Sequence, residues 1–415
     1  MEHLSENTRK KALRYFFAVA AFWALGIGMS DLVFSNYFKD AYNITAFQRG
    51  VIEFPREMPG IICVFIVSAL VAIGDVRISI VAQALAAAGL VALGFITPPF
   101  GVMLIFLFVN SVGIHIFFPL LDSIGMSLQG GKNVGTGLGK LKSFGVVFSL
   151  IASVIVFFGF RTGFFSFTDR IIVIFLLAAA AHIVIIALLL RIDRLTRGAR
   201  PKKTQKVHFV IKKKYSLYYV LCVCNGAQKQ IRMVYGPWVL IELLNKKADT
   251  IAMLSIAAFF TSIFFVRFVG WMLDRYGVKR SILVQALSFI AVYAAYAVLS
   301  YGFYGGGFSA TAALPVAASF AVFILDRMTQ HFTVVNAVYI QSIADVPEDV
   351  TPSLTMGFAL DHVISITCAF IGGVVWSSWG PHYVFIITAA LSVLNVFVSF
   401  KVKTPAPQKA DNGPA

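Results

Sequence analysis

Residues 270–280 read Gly270-Trp271-Met272-Leu273-Asp274-Arg275-Tyr276-Gly277-Val278-Lys279-Arg280. The glycines permit a close helix approach and a tight turn. Asp274 is suited to a helix terminus or to pairing with a cation, and Lys279 with Arg280 fixes the side on which the turn stays. The residues flanking this stretch are apolar over 250–273 and 281–301. Each run is long enough to cross a hydrocarbon core of about 30 Å as a helix, so the stretch reads as a hydrophilic hairpin between two membrane spans.

Working outward, further apolar runs cover 14–38, 48–74, 78–97, 101–127, 140–160, 170–190, 215–244, 313–344, 351–378 and 382–401. The pattern predicts an all-α polytopic membrane protein of twelve transmembrane helices. Composition agrees: 59% of the 415 residues are hydrophobic and 13% charged, too little polar surface to coat a soluble globule. The polar start, Met1 to Asn7, precedes a run too long for a cleaved signal, so that run is expected to remain as the first helix.

Six runs precede and six follow one long polar connection, which carries ten basic residues and a single acid, Asp193. The expected organisation is a first six-helix bundle over 1–190, a basic linker over 191–214, a second bundle over 215–402 and a tail over 403–415. Of the 35 Lys and Arg, 24 fall on the side of the two termini and six opposite: Lys39, Arg49, Arg161, Arg170, Lys246 and Lys247. By the positive-inside rule both termini are cytoplasmic, most simply in a plasma (inner) membrane.

The net charge of +16 is accounted for by this topology, since no soluble basic face with interleaved aromatics is present to take nucleic acid. No phosphate-cradling loop, His-Glu-x-x-His helix or nucleophile elbow occurs, which argues against an ATP-driven pump, a protease or any other enzyme, and no cofactor is implied. Cys63, Cys222, Cys224 and Cys368 sit in apolar runs without metal-ligand spacing to a nearby His, so no metal set is expected.

Charges inside the spans cost at least about 2.5 to 3.5 kcal/mol near mid-bilayer, and so mark candidate function. The second span places Glu53, Arg56 and Glu57 on one helix face, with Asp31 at comparable depth in the first and Pro55 and Pro59 freeing backbone carbonyls; a hydrated cluster of Asp31, Arg56 and Glu57 is expected. In the seventh span Asn225, Lys229 and Arg232 share a face, flanked by Gln228 and followed by a kink at Gly236-Pro237. The cations need an anion, either a substrate or a fixed partner in Asp326 or Asp361. The tenth span carries Asp326, Arg327, Gln330 and His331, with Asn336 further along. Asp361 and His362 are adjacent in the eleventh and diverge by about 100° on a helix, so one is expected to line a cavity while the other packs. His115 and Asp122 share a face of the fourth span across Pro119.

The 270–280 loop resembles the signature loop of the major facilitator superfamily (MFS), Gly-x-Leu-Ala-Asp-Arg-x-Gly-Arg-(Arg/Lys)-(Arg/Lys), and lies where that family carries it. The resemblance implies two pseudo-symmetric six-helix bundles around a central cavity that opens alternately to either side, with Gly270, Asp274, Arg275, Gly277, Lys279 and Arg280 forming a latch between the bundles. The equivalent first-half loop is only Gly74-Asp75-Val76-Arg77. Neither the Gly-Pro motif of drug–proton antiporters, in the fifth span, nor the Arg of many proton-coupled members, in the fourth, is present.

The functional expectation is secondary transport, by a monomer in the lipid bilayer, of a small-molecule substrate, anionic or zwitterionic and coupled to protons. Substrate-binding candidates are Lys229, Arg232, Asn225, Arg327 and His331. Proton-coupling or ion-pair candidates are Asp31, Arg56, Glu57, Asp326, Asp361 and His362, since carboxylates in low dielectric and histidines titrate near neutrality. Efflux of amphipathic or cationic compounds, suggested by 40 Phe and the first-half acids, is the rival reading, and a non-transporting receptor or scaffold on the same fold is a third.

Overall fold

In the computed structural model, residues 5–70, 73–129, 134–196, 212–346 and 349–402 are described, with the side chains of 64, 68, 134–139 and 351 excepted. The described residues form helices throughout: α1 Glu6–Asp31, α2 Phe34–Tyr42, α3 Ala46–Ala69, α4 Asp75–Phe95, α5 Phe100–Gln129, α6 Val134–Arg161, α7 Val173–Thr196, α8 Ser216–Trp238, α9 Ala248–Tyr304, α10 Ala313–Thr329, α11 Thr333–Ile343, α12 Val350–Ser378 and α13 Pro381–Lys401. The central basic run of the expected linker, 197–211, and the tail from 403 lie outside the described residues.

Local chemistry sets the helix boundaries. Thr45 and Gln48 form a reciprocal capping box that starts α3, satisfying two donors that a helix start leaves orphaned. Asn43 closes α2 in the left-handed region at φ 48°, which Asn tolerates better than most residues. Within the 57-residue α9, Gly277 adopts φ 75°, ψ 172°, so the helix is broken at the loop where two crossings were expected. Pro237 does not end α8 abruptly. The chain passes through a π-helical turn, Val239–Leu243, directly after Trp238. The expected tenth span is likewise not one helix, because a 3-10 turn, Gln330–Phe332, separates α10 from α11.

Eight helical segments among the described residues are long and apolar enough to cross a membrane, α1–α2 counting as one and α9 counting once despite its two halves. α3, α8, α10 and the 11-residue α11 are not among them. α10 has only 17 residues, while α3 and α8 carry the buried polar residues that lower their hydropathy. The chain is an integral membrane protein whose least apolar helices surround its polar centre. Arg49, counted above with the topology-setting charges, lies inside α3 at 1% exposure, and its removal from that set leaves the charge asymmetry intact.

In the first half, α1 packs on α6 and α7, α4 on α5 and α7, and α3 on α5; in the second, α9 packs on α10 and α13, and α8 on α12 and α13. The halves meet along α3–α12 and α6–α9. Glycine makes the first seam possible: a Cβ on Gly50 would stand 2.3 Å from the Ala369 carbonyl oxygen, and one on Gly373 would stand 3.0 Å from that of Ala46.

Candidate functional site

The contacts between halves concentrate at the end away from the termini. There Lys247 pairs with Asp40 at 3.0 Å, Lys39 with Glu242 at 3.8 Å and Arg161 with Asp249 at 3.6 Å, while Asn36 Nδ2 donates to the Lys246 carbonyl at 3.2 Å. At the terminal end the loop charges turn inward to their own half. Arg77 pairs with Asp193, Ser123 donates to Asp75, and Lys212 pairs with Asp345 and Asp349. Among the described residues no hydrogen bond or ion pair joins the 270–280 loop to the first half, and Asp274 is exposed. Among the described residues, the ion pairs between loops of the two halves therefore lie at the end away from the termini.

Between the halves lies a cavity of about 690 Å³ whose walls run from Asp31 and Glu57 to Tyr218 and Leu354 near the terminal end. An adjoining lobe of about 460 Å³ shares Trp23, Asp31, Arg56 and Met233 and adds Arg327, Asp122 and Lys142. Aromatic walls such as Trp23, Phe34 and Phe118 alternate with these charges, giving the mixture of apolar surface and few polar groups usual for small-molecule sites.

One face of α3 supplies two carboxylates to α8, as the four-residue spacing predicts. Glu57 Oε2 lies 3.4 Å from Lys229 Nζ, and Glu53 Oε2 accepts from Gln230 Nε2 at 3.0 Å. Glu53 also pairs with Arg49, and with Arg56 at 2.8 Å. Arg56 reaches Asp31 at 3.5 Å, Asp31 keeping 38% of its side chain exposed. The expected trio of Asp31, Arg56 and Glu57 is therefore divided. Arg56 belongs with Asp31 and Glu53, and Glu57 belongs with the second half.

Lys229 is a shared cation rather than a free one. Asp361 Oδ2 holds it at 2.5 Å and Asn225 Nδ2 donates to Asp361 Oδ1 at 3.0 Å, which realises the pairing with Asp361 posed by the sequence. Asp361 and His362 do not divide into one lining and one packing residue, because α12 lies between α8 and α3. Their divergence sends Asp361 to Lys229 and His362 Nδ1 to Glu57 Oε2 at 2.9 Å, and both border the cavity. His115 joins them, its ring centroid 5.3 Å from that of His362. Asp122 instead pairs with Lys142 in the other lobe, so His115 and Asp122 act apart.

Around α10 the arrangement is looser. No ion pair joins Arg232 to Asp326 among the described residues, although both are buried, at 5% and 1% exposure. Arg232 Nε and Nη1, Asp326 Oδ1 and Arg327 Nε lack hydrogen-bond partners. Arg327 reaches the cavity beside Met233 and Pro237, and its guanidinium lies over Phe323 at 5.1 Å. The 3-10 turn rotates His331 off the expected register, so that Gln330 lines the wall in its place.

Sequence reasoning missed Gln230 and counted Arg49, which its own second run 48–74 contains, among the topology-setting charges. The signal for Arg49 was its i,i+4 spacing to Glu53; Gln230, one residue from Lys229, carried none.

No protein-family profile matches the chain, and no curated protein matches it by sequence. Its fold is shared with solved structures at low identity. The nucleoside transporter NupG aligns with TM-score 0.70 and 13% identity over 94% of this chain and 100% of that one. A bacterial homologue of the iron transporter ferroportin, in an inward-facing state, aligns with TM-score 0.69 and 12% identity over 94% and 98%. A D-xylose–proton symporter aligns with TM-score 0.66 and 13% identity over 93% and 96%. The chain has the all-helical MFS fold of these transporters, as its 270–280 loop led one to expect.

Proposed function

We propose that this protein is a secondary transporter that moves a small anionic or zwitterionic organic solute by alternating access, with protons as the coupling ion. The observation that carries the solute class is the state of Arg327 and Arg232. Arg327 opens onto the cavity, Arg232 is buried behind it, and both leave guanidinium donors without partners. A buried unsatisfied donor costs about 1–3 kcal/mol, more when charged; these atoms are themselves shielded from the cavity, so an anionic solute meets the Arg327 guanidinium that lines the lobe, with the buried charge of Arg232 adding to the positive field there. Asp31 lines the same lobe and retains exposure, which offers a solute's cationic end a partner. Solved structures of the same fold are named for nucleoside, iron and sugar–proton transport, and this supports transport as the activity.

Coupling is assigned to Glu57, His362, Lys229 and Asp361. Glu57 is the carboxylate that ties Lys229 across the halves, so its protonation weakens that tie and leaves Lys229 to Asp361 alone. Asp31 and Arg56 are placed with solute recognition. The 270–280 loop is the latch of the opposite access state, disengaged in the arrangement described here. The chain divides into bundles over 1–190 and 215–402 joined by the 191–214 linker. It acts as a monomer in a plasma (inner) membrane with both termini cytoplasmic.

The test is uptake by proteoliposomes of purified protein under an imposed proton gradient, with radiolabelled solutes grouped by charge. Gradient-stimulated uptake or counterflow of anionic or zwitterionic solutes is expected. Movement restricted to amphipathic cations would favour efflux, encouraged by the aromatic walls at Trp23, Phe34 and Phe118, and absence of any counterflow would leave a receptor or scaffold.

A further inference from the structure

We propose that Glu57, His115 and His362 bind a first-row transition-metal dication in the wall of the cavity. One ligand atom from each lies within 4.8 Å of the others, and the three come from α3, α5 and α12. Ligands 2.0–2.2 Å from one tetrahedral ion stand roughly 3.3–3.6 Å apart, so closure requires about an ångström of movement. Both histidines line the 690 Å³ cavity, which gives an ion access.

The hydrogen bond of His115 prepares its imidazole as a ligand. His115 Nδ1 lies 2.9 Å from the Ser111 carbonyl, which can only accept. The proton therefore sits on Nδ1 and Nε2 presents a lone pair, the arrangement by which a metal-bound histidine is oriented through its other nitrogen. His362 Nδ1 is 2.9 Å from Glu57 Oε2, so an ion held by both replaces this hydrogen bond, the ring proton moving to Nε2, which is buried without a partner. Gly60 leaves room for this ring, since a Cβ there would stand 2.6 Å from it.

Charge favours a cation as well. Glu57 and Asp361 face the single ammonium of Lys229, leaving one formal negative charge when both histidines are neutral. Lys229 lies closer to Asp361, at 2.5 Å, than to Glu57, at 3.4 Å, so Glu57 can turn to an ion without stranding the lysine. Imidazole with carboxylate suits Zn²⁺, Co²⁺, Ni²⁺ or Fe²⁺ and disfavours Mg²⁺ and Ca²⁺, which take oxygen ligands. Because α3 and α5 belong to one half and α12 to the other, the ion would cross-link the halves. The binding itself does not depend on which solute is carried.

The test is titration of tag-free, chelator-stripped protein with Co²⁺, followed by ligand-field absorption, and with Zn²⁺ in competition with a chromophoric chelator. About one ion per chain at micromolar or lower Kd is expected, weakened at least roughly tenfold by His115→Gln and by His362→Gln and unchanged by His382→Gln. Melting without metal checks that each variant is folded. Wild-type binding no tighter than that of the double histidine variant would overturn the site. Should the variants fail to fold, X-ray absorption of Zn²⁺-loaded wild type decides: two imidazoles with oxygen support the site, whereas an all-oxygen or sulfur-containing shell, Cys222 being a cavity residue, contradicts it. An unchanged metal titration in Arg327→Gln separates this site from solute recognition.

Discussion

Lys229 and Glu57 form an ion pair across the two halves, Nζ to Oε2 3.4 Å, while Asp361 holds the same ammonium from within the second half. A buried ion pair is weak support for stability as a whole, yet removing one member strands the other. Lys229→Gln is therefore expected to lower stability in detergent by about 3–5 kcal/mol, and Lys229→Gln with Asp361→Asn to recover much of it, since Glu57 keeps His362. Chemical denaturation of the purified variants measures both. A double variant no more stable than the single would remove the ion-pair account of Lys229.

The α3–α12 seam depends on Gly50, where any Cβ meets the Ala369 backbone. Gly50→Ala should cost the closed seam about 1–3 kcal/mol and raise the population opened at the end away from the termini. Spin labels at Thr168 and Ser309, in loops of opposite halves at that end, should report longer distances. Gly101→Ala, with open space around it, is the control. Identical distributions in Gly50→Ala and wild type would show that this seam does not gate.

Where the linker rejoins the second half, Lys214 and then Lys212 hold the Asp345 carboxyl below its ordinary range, and Lys212 with Tyr215 does the same for Asp349. A carboxylate held low in the folded state stabilises above its unfolded pKa, and that contribution fades as pH falls through the folded value. The contact should thus persist at neutral pH and loosen below about pH 4. Amide hydrogen exchange over 212–218 should accelerate there in wild type. In Asp349→Asn it should already be faster at neutral pH, and equal rates in the two proteins at neutral pH would count against the contact.

Orientation has its own test. Lys279→Cys in the 270–280 loop should react with an impermeant maleimide only after the cytoplasmic face is opened, whereas Ser309→Cys should react in intact cells. The opposite pattern would invert the topology inferred from basic residues.

The fold was largely legible because membrane spans announce themselves by length and apolarity, and because Gly277 marks a turn that the backbone confirms at φ 75°. Within the site, spacing sufficed where both partners lay on one helix, as with Glu53 and Glu57 on the face toward α8. It did not suffice between helices. Nothing in the sequence says that α12 lies between α3 and α8, and this placement lets the diverging Asp361 and His362 both reach one charge network. Breaks in helical register are equally hidden: the 3-10 turn after Thr329 exchanges His331 for Gln330 at the wall. The sequence left Lys229 open between a substrate and a fixed carboxylate; the structure pairs it with Asp361, while Arg327 keeps its Nε without a partner.

A thermal-shift screen of wild type and Arg327→Gln, run side by side against metabolites sorted by charge, bears on the proposed solute class. Anionic or zwitterionic solutes are expected to stabilise wild type, by about 2.7 kcal/mol at 100 times the dissociation constant, and to lose most of that effect in Arg327→Gln. Stabilisation by cationic amphipaths alone, or by anionic solutes equally in both proteins, would contradict the assignment of Arg327 as the residue that receives the solute's negative charge.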